Sequence, residues 1–103
     1  MAGLLVFKPG ADWTATGGLF DWTLEFLIDR ISDRAVVDRL RKIVDNNLAI
    51  VWVSEFPTQA QREIVAVVRN ELITAAEREL PESDHKTEAI RHLQELVDLT
   101  GKG

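Results

Sequence analysis

The chain has 103 residues, of which 46% are hydrophobic, and its formal net charge at pH 7 is −5. This length fits one domain with a modest core, and the apolar share is typical of a folded protein rather than a disordered one. The acidic charge disfavours duplex nucleic acid and anionic membranes as partners, and the lack of cysteine excludes disulfides and thiolate chemistry.

The first predicted element is a short strand. Residues 3–8 (GLLVFK) are apolar and partly β-branched, and Pro9 and Gly10 follow as a turn. We interpret residues 11–17 (ADWTATG) as a loop that carries Trp13.

Helix one is predicted over residues 18–32 (GLFDWTLEFLIDRIS), and it is apolar on two sides. One stripe at helical spacing consists of Phe20, Leu24, Leu27, Ile28 and Ile31. A second stripe consists of Leu19, Trp22 and Phe26, and what remains polar is mainly an acidic strip of Asp21, Glu25 and Asp29. So wide an apolar arc indicates a helix that is central to its fold or faces a partner.

Three further elements complete the expected helices. Helix two begins at Ser32 or Asp33 as its cap and ends near Asn46 and Asn47. Helix three begins at Thr58, which forms a capping-box pattern with Gln61, and runs to about Leu80. Helix four begins at Ser83 or Asp84 and ends near Thr100.

Residues 49–53 (AIVWV) favour a strand, although a continuation of helix stays open as the alternative. Pairing with residues 3–8 would satisfy the backbone groups of both segments. We therefore predict a mainly α fold: one helical domain over residues 1–103, with four helices and a short two-strand pair of residues 3–8 with 49–53.

No catalytic or metal signature stands out. One face of helix four has histidine and carboxylate spacings that can hold zinc or nickel, through His85, Glu88, His92 and Glu95. That face lies opposite the apolar stripe, without buried support, so a solvated face is the favoured interpretation. The serines lie at helix starts, where capping explains them. We predict no enzyme activity, no metal and no cofactor.

The acidic strip and the second stripe are the strongest binding signal. Like charges four residues apart repel, so the strip calls for an explanation. One is a docking strip for lysine or arginine of a partner; the other is neutralisation by the chain's own Arg30 or Arg34. Trp22 and Phe26 either pack internally or meet the partner. The predicted partner-binding residues are Asp21, Trp22, Glu25, Phe26 and Asp29.

The leading functional hypothesis is a small acidic protein-binding module that occludes a basic partner stoichiometrically, as an immunity protein, an inhibitor or an adaptor. In class (small, acidic, helical and free of cysteine) the chain is similar to bacterial immunity proteins that block nuclease toxins, but no shared motif carries residue roles over. The alternative is a homo-oligomeric structural or regulatory protein, such as a homodimer, with helix one as its interface. We expect neither nucleic acid nor membrane as a partner. The start of the chain lacks a basic region typical of signal peptides, and a cytoplasmic location is expected.

Overall fold

The computed structural model describes residues 2–8 and 10–101. Two strands come first, two helices follow, and a third strand precedes the last two helices. The elements are β1 (Ala2–Lys8), β2 (Ala11–Thr16), α1 (Gly17–Ile28), α2 (Arg34–Asp45), β3 (Ile50–Trp52), α3 (Thr58–Glu79) and α4 (Lys86–Thr100). A single 3-10 turn over Val53–Glu55 joins β3 to α3. None of the described helices is long and apolar enough to cross a membrane.

The sheet corrects the predicted strand pair. Its strand order is β2-β1-β3, with β1 antiparallel to β2 and parallel to β3. The prediction of a two-strand sheet is therefore wrong, and the chain is mainly α with a small three-strand mixed sheet. Residues 50–52 do lie beside β1, but residues 11–16, which we interpreted as a loop, supply the additional strand.

Strand β2 forms because its side chains alternate between the core and solvent. Ala11, Trp13 and Ala15 are buried, whereas Asp12, Thr14 and Thr16 are exposed. This period of two is the pattern of a strand with one covered face. The turn from β1 into β2 includes Gly10, whose φ of +86° lies in the left-handed region that glycine adopts without strain. Pro9, the other predicted turn residue, lies outside the described residues.

Helix α1 is central to the fold. It contacts both long strands, α2 and α3. Phe20, Leu24 and Leu27 of its first stripe are buried, and Phe26 of the second stripe is buried as well. The helix ends at Ile28, earlier than predicted. Ile31 is still buried in the core, and its N–H donates to the Leu27 carbonyl. Centrality therefore accounts for most of the wide apolar arc.

One hydrophobic core joins the helices to the inner face of the sheet. Helix α3 is the longest helix that contributes buried side chains to this core, and it packs along α4. The side chains with no exposed surface include Leu5, Leu24, Leu27, Leu40, Val51, Ile64, Val68, Leu72, Leu93 and Leu96. The C-terminal parts of α1, α2 and α3 lie next to one another and form the surface described below.

The starts of α2 and α3 differ in their capping. The Asp33 carboxylate accepts hydrogen bonds from the N–H groups of Ala35 at 3.0 Å and Val36 at 3.3 Å. The predicted capping box of Thr58 and Gln61 is absent, because Thr58 is already helical and the Gln61 amide donates to the carbonyls of Ser54 and Phe56.

This difference gives a matched stability prediction. Asp33→Ala removes the acceptor for two N–H groups and is expected to lower the free energy of unfolding by about 1 kcal/mol. Thr58→Ala changes an exposed side chain that caps nothing and is expected to cost less than about 0.5 kcal/mol. Urea denaturation of both variants measures the difference. Equal losses in the two variants would contradict the assigned cap.

Candidate protein-binding site

The acidic strip predicted on α1 is divided between two places. Glu25 and Asp29 are exposed and line a pocket of about 260 Å³. We call it the α1–α2 pocket, and its lining residues are Trp22, Glu25, Phe26, Ile28, Asp29, Arg41, Val44, Asp45 and Glu79. Asp21 is half-buried and lies instead at a much smaller pocket beside Asn47 and Leu48. The structure thus brings together four of the five predicted binding residues.

Two stacked aromatic rings form the wall of the pocket. The ring centroids of Trp22 and Phe26 are 5.9 Å apart, and the ring planes are inclined by 22°. Phe26 is only 3% exposed and belongs to the core, whereas Trp22 is half-buried. The stacking follows from their spacing of four residues, which places both rings on one side of α1. Trp22 is therefore the aromatic side chain that this pocket offers to a ligand.

Arg30 does not neutralise the acidic strip. Its guanidinium lies 4.1 Å from the centroid of the Phe26 ring, and its Nη1 donates to the Phe26 carbonyl. Its charge is directed to α3, because Nε is 3.3 Å from Glu71 Oε1 and Nη2 is 3.9 Å from Glu79 Oε2. Among the ion pairs of the described residues, none includes Asp21, Glu25 or Asp29.

Helices α2 and α3 add carboxylates that sequence reasoning missed. Asp45 comes from the last turn of α2, and Glu79 comes from the last residue of α3. In the sequence, Asp45 follows Arg41 at the spacing of an ordinary helical ion pair, and Glu79 has no distinguishing feature. Only the packing of the three helices brings these groups to Glu25 and Asp29.

The chemistry of the pocket favours a cation. Among the described residues that line it, four are carboxylates and Arg41 is the single cation. Glu79 already contacts Arg30, which leaves Glu25, Asp29 and Asp45 free of ion pairs within the described part of the chain. Carboxylates beside an aromatic face attract ammonium and guanidinium groups through charge and through the ring quadrupole.

On the histidine face of α4, His85, Glu88 and Glu95 are exposed to solvent, and only His92 is half-buried. The His92 ring stacks on Trp13 with centroids 5.1 Å apart, and the Trp13 Nε1–H donates to the His92 carbonyl at 3.0 Å. The His92 ring also bonds through Nε2 to the Thr14 carbonyl and lies 2.7 Å, at Nδ1, from Glu95 Oε2. His92 therefore joins α4 to β2. The described residues contain no group of three or more His, Asp or Glu side chains placed to hold a metal ion.

Comparison with protein-family models, with curated proteins and with solved structures found no match to this chain. The likeness to immunity proteins is therefore one of composition alone. The functional argument consequently depends on the geometry of the α1–α2 pocket.

Proposed function

We propose that the chain is a small acidic protein-binding module, an immunity protein, inhibitor or adaptor, that occludes a basic partner stoichiometrically. A lysine or arginine side chain of the partner enters the α1–α2 pocket and lies against Trp22. The observation that carries the proposal is the meeting of carboxylates from three helices around one aromatic wall.

Charge supports this choice of partner. The whole chain carries −5, which accelerates the encounter with a basic protein and repels an acidic one. Within the pocket, the carboxylates of Glu25, Asp29 and Asp45 remain available to a guanidinium or ammonium group, because none of them forms a described ion pair. Trp22 supplies a large rigid surface of the kind enriched at binding hot spots.

The choice of variant for testing this proposal depends on burial. Replacing both Trp22 and Phe26 would not be informative, because truncating the buried Phe26 is expected to cost about 3–5 kcal/mol of stability. Substitutions that replace the exposed carboxylates of Glu25 and Asp29 with uncharged amides leave the core intact. The double variant Glu25→Gln/Asp29→Asn is therefore the appropriate one.

The probe is a short glycine-flanked arginine peptide, titrated into isotopically labelled protein. We expect saturable NMR shifts at the Trp22 indole N–H and at the amides of Glu25, Asp29 and Asp45. Neutralising Glu25 and Asp29 is expected to weaken binding by about fivefold or more, since each lost charge pair is worth a few tenths to about 1 kcal/mol.

The matched control is Asp38→Asn/Asp84→Asn, which makes the same change in net charge at exposed carboxylates outside the pocket. It is expected to bind the peptide as the unmodified chain does. Equal weakening in both double variants, or shifts spread evenly over the acidic surface, would overturn the pocket and leave only non-specific attraction.

The alternative of a homo-oligomer with α1 as the interface has less support. Leu19 and Trp22 are half-buried and Phe26 is buried, so the second stripe of α1 exposes little apolar surface. Among the described residues, the large exposed hydrophobic side chains lie outside α1.

A further inference from the structure

The large hydrophobic side chains that the described residues expose lie together at β3. Leu48 is 52% exposed, Ile50 is 43% exposed and Trp52 is 48% exposed. Val51, between the last two, is fully buried. Because side chains alternate along a strand, Ile50 and Trp52 stand on the same outer face of the sheet.

The two edges of the sheet differ in how well they are covered. At the β2 edge, α4 packs against the strand and the Thr14 carbonyl is bound by the His92 ring. The β3 edge carries neither a charged residue nor proline, two devices that usually protect an exposed strand edge.

The backbone of β3 presents free groups at this edge. The Leu4 N–H donates to the Ala49 carbonyl at 2.7 Å, and Leu4 is in register with Ile50. In a parallel ladder, alternate residues direct both backbone groups to the same side, so Val51 faces β1 while Ile50 and Trp52 face away. Outside the sheet ladders, the hydrogen bonds of the described residues leave both backbone groups of Ile50 and the N–H of Trp52 unused. The Trp52 carbonyl lies at the N-cap of the 3-10 turn Val53–Glu55 and accepts the first bond of that turn, which leaves its second lone pair.

We propose that β3 pairs antiparallel with β3 of a second copy of this chain, about a two-fold axis that passes beside Val51. The two Val51 residues then form a pair without hydrogen bonds. Ile50 of each copy exchanges both of its backbone hydrogen bonds with Trp52 of the other. The outward N–H groups of Ile50 and Trp52 and the Ile50 carbonyl gain partners, and the Trp52 carbonyl accepts a second hydrogen bond beside the one from the 3-10 turn. The two sheets become one continuous sheet.

Side chains and charge favour a second copy as the occupant. The pairing places Ile50 of one copy directly opposite Trp52 of the other, which is a favourable combination of aromatic and β-branched side chains. Residues 46–54 (NNLAIVWVS) contain no charged side chain. Two copies of a chain with net charge −5 repel least through such a segment, and a two-fold axis makes the strand complementary to itself.

This interface lies outside the α1–α2 pocket and does not depend on the proposed function. None of the residues that line that pocket belongs to β3. Self-association and capture of a basic partner can therefore be tested separately.

The experiment measures mass by sedimentation or light scattering from about 10 µM to about 1 mM protein, a range suited to a small and weak interface. A dimer is expected to form as concentration rises. Trp52→Lys is expected to raise its dissociation constant by about tenfold or more, since the substitution occurs twice in the dimer. Ala66→Lys makes the same change in charge at an exposed position of α3 and is expected to leave dimerisation unchanged.

Amide hydrogen exchange identifies the strand that pairs. In the dimer, the amides of Ile50 and Trp52 are expected to become protected, whereas the Val51 amide is protected at every concentration by β1. If Trp52→Lys disturbs folding, Ile50→Lys serves in its place. A monomer throughout the concentration range, a dimer insensitive to both lysine variants, or unprotected amides at Ile50 and Trp52 in a dimer would each overturn the proposal.

Discussion

Replacing Trp13 with alanine is expected to lower the free energy of unfolding by about 3–5 kcal/mol. The side chain is 3% exposed, and it stacks on the His92 ring of α4. Its Nε1–H also donates to the His92 carbonyl at 3.0 Å. The substitution therefore opens a cavity and removes two contacts between β2 and α4, while the bond from the His92 ring to the Thr14 carbonyl remains. A loss of this size is a large part of the total stability of a small domain.

Two controls separate the contributions of Trp13. Trp13→Phe keeps an aromatic ring in the core but removes the donor to the His92 carbonyl, and is expected to cost about 1–3 kcal/mol. Trp52→Ala removes the same side chain from a position that is 48% exposed, and is expected to cost about 1 kcal/mol when measured at low protein concentration. Thermal and urea unfolding provide the values. Similar losses for Trp13→Ala and Trp52→Ala would contradict the placement of Trp13 in the core.

Trp13 also illustrates what the sequence could and could not predict. Its neighbours alternate between small or aromatic residues and polar ones, which is a strand pattern. Alanine and threonine give this pattern weak hydrophobic contrast, so the sequence alone does not distinguish the strand from a loop. Burial of Ala11 and Ala15 depends on how closely α1 and α4 approach the sheet, and tertiary packing rather than local propensity decides such cases.

For helix one, in contrast to β2, the local spacing of apolar residues is sufficient to predict most of the structure. The spacing of apolar residues predicted its two stripes, and the structure places that helix against two strands and two other helices. The same spacing placed Glu25 and Asp29 on one side of α1. Asp45 and Glu79 reach the pocket only through the packing of separate helices, so no local pattern could have assigned them to it.

The exposure of β3, like the position of Asp45 and Glu79, is decided by packing and not by the local sequence pattern. The apolar run at residues 49–53 favoured a strand, but the run alone gives no indication of which side is covered. The structure covers Val51 with the core and leaves Ile50 and Trp52 on the outer face of the sheet, and it places β3 at the edge of that sheet. Edge position is a property of the whole topology.

Gly3→Ala is expected to lower the free energy of unfolding by about 2 kcal/mol or more. A Cβ at this position would lie 2.1 Å from Cγ of Phe20, and 2.4 Å from both Cδ atoms of that ring. Phe20 is 3% exposed and belongs to the core, so its ring cannot move aside without disturbing the neighbours of α1. The entropic gain of alanine over glycine in the unfolded chain, about 0.4–1 kcal/mol, is too small to offset this overlap.

Gly18→Ala is the matched control, because a Cβ there meets no atom within 4 Å and the residue lies in the first turn of α1. It is expected to stabilise the chain by about 0.5–1 kcal/mol through helix propensity and reduced freedom of the unfolded chain.

A second variant tests the overlap directly, because a smaller side chain in place of Phe20 should relieve the overlap at Gly3. The double variant Gly3→Ala/Phe20→Leu is therefore expected to lose less stability than the sum of the two single variants. Additive losses, or a Gly3→Ala variant as stable as Gly18→Ala, would show that β1 does not lie directly against the Phe20 ring.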